Sequence, residues 1–387
     1  MYLKEFDVET WMTNHEQNCQ YNLADTCVSD MSIHELESLI HKDLMSDLMH
    51  MRMDYGPITG SDCLKDAILS LYKTGTRDNI AVAHGAINAN EHVMDTLLNK
   101  GDHIVALTPS YEQFYSYPAS IGCEYDLVEL NEDNNWEPVI DDFKKLIKPE
   151  TKMFILNSPN NPTGTVIKRS LMEELIELAR SHSIYILVDE IYRGMNDTLC
   201  DSISDMYELG IATASLSKVY SFAGLRLGWI KGPKQLIDEI NFRRDYTIIS
   251  TGPWNDYLAT VVLQHKDLIL DRSRHIILEN KKILKEWLEK EDLVECVIPE
   301  DGTVCFLHYL FDMPSKELCE KLQNDTGVFF VPGMAFNKEY HLRFGFTSDS
   351  KVIKEGLETF SSWIHSHITE AECFFFIICK SFAYSLT

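Results

Sequence analysis

Basic residues are scarce in this chain: 35 lysines and arginines stand against 60 aspartates and glutamates, a net charge of −25. A surface of that sign repels nucleic acid and anionic membranes, so neither is expected as a partner. Any anionic ligand must then be held by a few locally placed basic groups. CxxC pairs are absent despite ten cysteines, and HExxH is absent despite fourteen histidines. No Cys/His spacing suits zinc, so no disulfide framework and no structural metal are expected. Several cysteines sit in apolar runs, such as Cys305 in TVCFLHYLF, which reads as buried reduced thiols and a cytoplasmic setting. The opening MYLKEFDVETWMTNHEQ is acidic and lacks an apolar stretch, so it does not read as a secretory leader. The run Cys373 to Cys379 (CFFFIIC) is far shorter than the roughly 20 apolar residues a membrane span needs.

What is present is an ordinary globular balance, 45% apolar and 25% charged over 387 residues, enough for a large core and more than one lobe. KMFILN (152–157) and IYILVDE (184–190) are near-continuous apolar strands, with a helical pattern over Arg169 to His182 between them. Similar units precede and follow them. A helix is expected over Asp62–Tyr72, then strand, glycine turn and helix through NIAVAHGA to Leu98. Next come the strand His103–Leu107, a helix from near Tyr111, the strand Cys123–Leu130, the helix Ile140–Ile147, and short strands at Ile211–Ser215 and Gly228–Lys231. Such alternation predicts an α/β fold, a mostly parallel central sheet flanked by helices. Helical patterns then run from Asp256 to Glu291 with a break near 264–267. Strands at Val304–Phe311, Val328–Val331 and Leu342–Phe346 surround a helix at Ser315–Gln323, and a helix over Lys351–His367 follows, a smaller α+β unit. The division expected is an arm and small-domain segment (1–45), a large domain (46–270), a small domain (271–367) and a tail of unassigned role (368–387). No internal repeat is apparent.

Ligands of parallel sheets bind beyond the carboxyl ends of the strands. The chain places Gly85-Ala86-Ile87, Tyr111, the loop SPNNPTG (158–164), Asp189 with Tyr192, Ser215 to Lys218 and Arg226 there. Asp189 ends a buried apolar strand, a costly position for a carboxylate without a cation. Gly85 to Ile87 sit where a strand gives way to a helix, so backbone N–H groups and the helix dipole face an anion. Taken singly, these residues have plainer readings. Lys218 could be an exposed helix-start lysine, Asp189 a cap, Asn161 a turn former before Pro162, and Arg343 a strand arginine facing solvent. Phe114 and Tyr115 read as core or pocket wall, and Gln113 has no evident role.

NSPNNPTG (157–164), DEIY (189–192) and SLSKVYSFAGLRLG (215–228) occur in order and at compatible spacing. On these motifs the chain, over residues 20–367, resembles the fold-type I pyridoxal-5'-phosphate (PLP) enzymes of the class I/II aminotransferase family. The resemblance implies that Lys218 holds the cofactor as a Schiff base and then moves a proton, and that Asp189 pairs with the pyridinium nitrogen. It implies that Asn161 and Tyr192 hydrogen-bond the phenolic oxygen and that Tyr111 stacks on the ring. Gly85, Ala86, Ile87, Ser215 and Arg226 would hold the phosphate. Tyr55 would reach the phosphate of a neighbouring subunit's cofactor, which makes the unit a homodimer with shared sites. Arg343, helped by Asn161, would take the substrate α-carboxylate through its planar fork. The reaction implied is transfer of an amino group from an L-amino acid to a 2-oxo acid. The segments VETWM (8–12), NLADTCVSDMSIHEL (22–36) and LMHMRMDYGPITGSDCL (48–64) further resemble the capreomycidine synthase subgroup. That subgroup acts on arginine derivatives by elimination and ring closure, which would give Glu9 and Asp25 a guanidinium to grip. Both read equally as surface carboxylates.

Overall fold

The computed structural model describes residues 3–196 and 201–368. Cys200 and the tail from residue 369, with Cys373 and Cys379, lie outside the described residues. The chain opens with the helix Asp7–His15 and the short strand β1 (Tyr21–Asn22), and after further helices it builds a seven-stranded sheet. Its strands are β2 (Ile80–Ala83), β3 (His103–Thr108), β4 (Glu124–Glu129), β5 (Thr151–Asn157), β6 (Tyr185–Asp189), β7 (Gly210–Ser215) and β8 (Gly228–Lys231). The later strands are β9 (Val294–Cys296), β10 (Val304–Tyr309), β11 (Val328–Phe329), β12 (Val331–Pro332) and β13 (His341–Gly345).

The large sheet runs β2-β8-β7-β6-β5-β3-β4, and only β8 is antiparallel to its neighbours. Strands β5 and β6 lie in its middle and are buried on both faces, which is why their sequences are apolar without alternation. Successive residues still divide between two cores. Phe154 and Leu156 belong to one, and Met153 and Ile155 to the other. β4 is an edge strand, and its exposed and half-buried positions explain its mixed pattern. The helices Gly85–Leu97, Gln113–Ile121 and Lys234–Arg244 cover one face. Periodicity did not pick out the last, whose buried side includes Arg244 beside Leu236, Ile237 and Ile240.

The helical stretch after Pro253 breaks at His265, between the helices Pro253–Gln264 and Lys266–Leu288. Beyond it an antiparallel sheet runs β12-β13-β10-β9, while β11 pairs in parallel with β1. The single strand expected over Val328–Val331 is thus two strands in different sheets. The switch falls at Phe330, which is fully buried and whose carbonyl accepts a 2.9 Å hydrogen bond from Trp11 Nε1. That bond docks the helix Asp7–His15, with Trp11 itself 7% exposed; burying an indole of this kind contributes roughly 2–3 kcal/mol.

Residues 22–31 then thread between the two sheets. Gly345 N–H donates to the Leu23 carbonyl at 2.8 Å, and Val28 N–H to the Lys218 carbonyl at 3.1 Å. A Cβ at Gly345 would overlap the Asp25 carbonyl, so only glycine permits this approach. No helix among the described residues is long and apolar enough to cross a membrane. The described cysteines are all free thiols. Cys123, Cys305 and Cys319 are buried, but Cys63 is exposed and Cys19, Cys27 and Cys296 are half-buried, which departs from the reading of buried thiols.

Candidate active site

Strands β5 and β6 end in register and β7 runs two residues further, setting Asn157 beside Asp189 and Asp189 beside Thr213. The Thr213 hydroxyl donates to Asn90 Oδ1 at 2.6 Å, which turns the Asn90 amide nitrogen toward Asp189 Oδ2 at 2.8 Å. Ile191 N–H donates to Asp189 Oδ1 at 3.0 Å. All the partners are neutral. Burial pushes the Asp189 carboxyl up to about 6, more than these hydrogen bonds pull it down. Asn157 extends the same scaffold, donating to the Asp189 carbonyl at 2.9 Å and accepting from Asn161 N–H at 2.8 Å.

Lys218 lies in the loop after β7. Its Nζ donates to Thr26 Oγ1 at 2.6 Å and stands 3.4 Å from Cys27 Sγ. Burial works against the ammonium, but Cys27, Tyr192 and Asp25 outweigh it and hold the amine above its ordinary range. Tyr192 is buried beside it, and desolvation raises its hydroxyl pKa. Tyr111 lies between Phe6 and Phe114, with ring centroids 4.8 and 5.9 Å away, and its hydroxyl donates to Glu9 Oε1 at 2.7 Å.

At one end of the cavity the helix Gly85–Leu97 begins, and the exposed Arg226 faces it. Arg226 Nη1 reaches the Ala223 carbonyl at 3.0 Å and Ser217 Oγ at 3.5 Å, and it makes no salt bridge with the described residues. Gly85 has φ of +79°, and a Cβ there would come within 2.5 Å of Arg226 Nη2. Glycine is therefore required both by the backbone and by the guanidinium above it.

At the other end Arg343 projects from β13, only 3% exposed. Its Nε donates to the Ala24 carbonyl at 3.2 Å, while Nη1 and Nη2 have only long contacts, 3.4 Å to Asn161 Oδ1 and 3.5 Å to Met12 Sδ. Burial lowers its pKa, and no carboxylate pairs with it among the described residues. A buried guanidinium with two poorly used nitrogens is a receptor for a planar anion.

These ends belong to one cavity of about 370 Å³, a size suited to a small ligand. Lys218, Asp189, Tyr192, Asn161, Tyr111, Ala86, Ile87, Arg226 and Arg343 all line it, as do Glu9 and Asp25. Three expected residues do not. Gly85 lies beneath Arg226. Ser215 is buried behind the wall, its Oγ accepting from Ser217 N–H at 3.2 Å, so the Ser217 hydroxyl lines the cavity instead. Tyr55 is 66% exposed, on a turn outside this cavity. Sequence reasoning missed Asn90, Thr26, Cys27, Met12 and Glu16. Only Asn90 carried a signal, as a polar residue on an otherwise apolar helix face.

Residues 22–360 match the family described as aminotransferase class I and II. The chain belongs to that family. Among known structures it is similar to a PLP-dependent aminotransferase from Streptococcus suis 89-1591, at 37% identity over 96% of this chain and 100% of that one, with a TM-score of 0.93. Its fold is also that of the PLP-dependent cyclase OrfR, at 23% identity over 95% and 98% of the two chains and a TM-score of 0.86. Capreomycidine synthase from Streptomyces vinaceus is 24% identical over 93% of this chain and 94% of its own length. This aminotransferase-fold enzyme takes pyridoxal 5'-phosphate as cofactor. The residues fit it: a buried carboxylate lacking a cation, an amine at a strand end, and an unpaired arginine over a helix N-terminus. When bound, the cofactor supplies an electron sink for charge developing at the substrate Cα.

Proposed function

We propose that this enzyme transfers an amino group from an L-amino acid to a 2-oxo acid, using Lys218 as the cofactor's attachment point and as the proton carrier. The observation behind this reading is the convergence of Lys218, the cation-free Asp189 and the carboxylate-free Arg343 on one cavity. In this proposal Asp189 pairs with the cofactor's pyridinium nitrogen, which removes the penalty of burying an unpaired charge. Asn161 and Tyr192 donate to its phenolic oxygen, and Tyr111 lies against its ring. Arg226, Ser217 and the N–H groups after Gly85 hold its phosphate, with Ser215 buttressing Ser217. Arg343 takes the substrate α-carboxylate with its two free-edged nitrogens, assisted by Asn161. Lys218 Nζ then takes the proton from the substrate Cα, with Thr26 Oγ1 steering the amine.

The same proposal divides the chain into a large lobe (46–270) and a small lobe made of 1–45 and 271–367. It pairs two chains into a homodimer. The exposed Met49, Met53, Tyr55, Tyr246, Ile249 and Trp254 support that pairing, since Ser250 Oγ donates to the Tyr55 carbonyl at 2.7 Å and ties the two stretches into one apolar surface. Tyr55 would then serve the partner's phosphate. Light scattering should give twice the chain mass; a monomer at micromolar concentration would remove the shared-site part.

A second reading is favoured by one observation. Glu9, Glu16 and Asp25 line the same cavity, and none has a salt bridge to the described residues. Burial, with Asp25 adding to it, raises the Glu16 carboxyl pKa. A cationic side chain would relieve this, and capreomycidine synthase is among the relatives. That reading is elimination and cyclisation of arginine or a hydroxyarginine. A panel of amino acids with and without a 2-oxo acid separates the two. Formation of new 2-oxo acid from several donors, dependent on acceptor, supports transamination. Turnover of hydroxyarginine without acceptor supports cyclisation and would displace the first reading.

A further inference from the structure

Outside the cavity that Lys218 lines, four side chains meet where the loop after β4 touches the small sheet. Glu132 opens a short turn (Glu132–Asn134) at the edge of the large sheet, while Glu295, His308 and His341 lie on β9, β10 and β13. Glu295 is directly opposite His308, and His308 is directly opposite His341, so these three stand in a row on one face. The two imidazoles stack with centroids 4.5 Å apart. His308 Nδ1 is 2.8 Å from Glu132 Oε2 and 3.1 Å from Glu295 Oε1, and His341 Nε2 is 3.4 Å from the same Glu132 oxygen.

The tautomer of His341 decides what this cluster needs. Its Nδ1 is 2.8 Å from the Glu339 carbonyl oxygen, an acceptor with no proton to give, so Nδ1 carries the N–H. In the neutral ring Nε2 therefore presents a lone pair to a carboxylate oxygen. That nitrogen makes no hydrogen bond, although His341 is only 4% exposed. Two acceptors facing each other in a buried place repel unless a cation lies between them. An imidazole whose other nitrogen donates to a backbone carbonyl is also how metal-bound histidines are oriented. Zinc bonds of about 2.0–2.2 Å to nitrogen and oxygen place tetrahedral donors roughly 3.3–3.5 Å apart. The Glu132–His341 separation already has that spacing, and the Glu132–His308 and Glu295–His308 separations reach it after an expansion of a few tenths of an ångström, with Glu132, His308 and His341 forming the tight core of the set. Glu295 is half exposed, which leaves the ion a way in.

We propose that Glu132, Glu295, His308 and His341 form a divalent-metal site that takes zinc and clamps the edge of the large sheet to the small one. The site has a consequence for the cavity. His341 lies two residues before Arg343 on β13, so an ion fixed at the start of the strand steadies the guanidinium at its middle.

The test is metal analysis of the full-length holoenzyme, stripped with a chelator and titrated with Zn²⁺. Among the described residues a second cluster, the buried Glu291 with the exposed Asp292 and His365, is the competing zinc ligand set, so His365→Ala serves as the background protein. In that background, one zinc per chain should survive dialysis and raise the melting temperature. Cobalt(II) should give the intense visible bands of a tetrahedral site, and His341→Gln or Glu132→Gln should weaken zinc binding at least about tenfold. Retention of affinity in both variants would overturn the proposal. So would a His365→Ala protein that takes up no zinc and shows only octahedral cobalt; the cluster would then be a proton-bridged pair. The cobalt spectrum needs no change at the cluster itself, so it decides the matter even where a variant fails to fold.

Discussion

The two walls of the cavity are built on different principles. The wall at the ends of β5, β6 and β7 is buried and internally hydrogen-bonded: Asn90, Asn157, Asn161, Asp189 and Tyr192 are each 5% exposed or less. The facing wall, from Glu9 to Asp25, is carried by the N-terminal helix and the segment after it. It is half open, acidic, and held to the rest through Trp11 and the threading of residues 22–31. A rigid, desolvated wall suits a cofactor that stays, because its dipoles need no rearrangement. A charged, partly solvated wall suits a substrate that comes and goes, and that supplies the missing charge on arrival.

The contrast breaks most sharply at Lys218. Lys218→Ala should lower turnover by about 10³-fold or more, since on the proposed reading it removes both attachment and proton transfer. Borohydride treatment of the wild-type holoenzyme should fix the cofactor on the peptide containing Lys218. A label on another peptide would end the assignment.

Asp189→Asn should cost on the order of 10²-fold in turnover and weaken cofactor retention, read by dialysis and visible absorbance. It also has a signature in the protein without cofactor. Asp189 lies at about 6 against an ordinary 3.8, so the folded chain keeps a proton that the unfolded chain has lost between those values. Stability contributed by that proton is complete at low pH and is lost as pH rises from about 4 to 6, by about 3 kcal/mol at most. Denaturant unfolding across that window should show the loss in wild-type apoenzyme, and Asp189→Asn should flatten it. Parallel profiles would place Asp189 in a solvated setting.

Arg343→Lys tests the hinge between the walls. Exchanging a planar fork for a point charge should raise KM for the amino acid about 10- to 100-fold, with a smaller change in kcat. An unchanged KM would move carboxylate recognition elsewhere. The smallest effect belongs to the acidic wall. Glu9→Gln and Asp25→Asn should each lower kcat/KM for a cationic donor several-fold, as expected for partly screened charge pairs, and leave an uncharged donor unaffected. Equal losses for both donors would make the wall structural rather than selective.

The buried wall was the legible one. Asp189 at the end of IYILVDE is read from local pattern, because strand and turn are set within a few residues, and Lys218 in SLSK is read from the motif's resemblance to the family. The open wall was legible only in part. Glu9 and Asp25 were singled out, whereas Glu16, Met12, Thr26 and Cys27 were not, because their place depends on how a distant segment threads between two sheets. Ser217 rather than Ser215 lines the cavity for a similar reason: spacing names the turn but not which hydroxyl faces inward. The single strand expected at Val328–Val331 is divided by Phe330, whose burial beneath the N-terminal helix no local pattern records.

From the sequence came the alternation of strands and helices, which rests on periodicity and turn residues, interactions of short range along the chain. The chemistry of the strand-end motifs came from their resemblance to the aminotransferase family. Only the folded chain brings Glu9, Met12, Glu16 and Asp25–Cys27 to the cavity that Asp189 lines, and gathers Glu132, Glu295, His308 and His341 around one another. No linear spacing foretells such a meeting, since it arises only when the register of three antiparallel strands and the edge of another sheet are fixed together. The expectation of no structural metal rests on spacing along the chain, whereas the proposed ligand set is assembled in space.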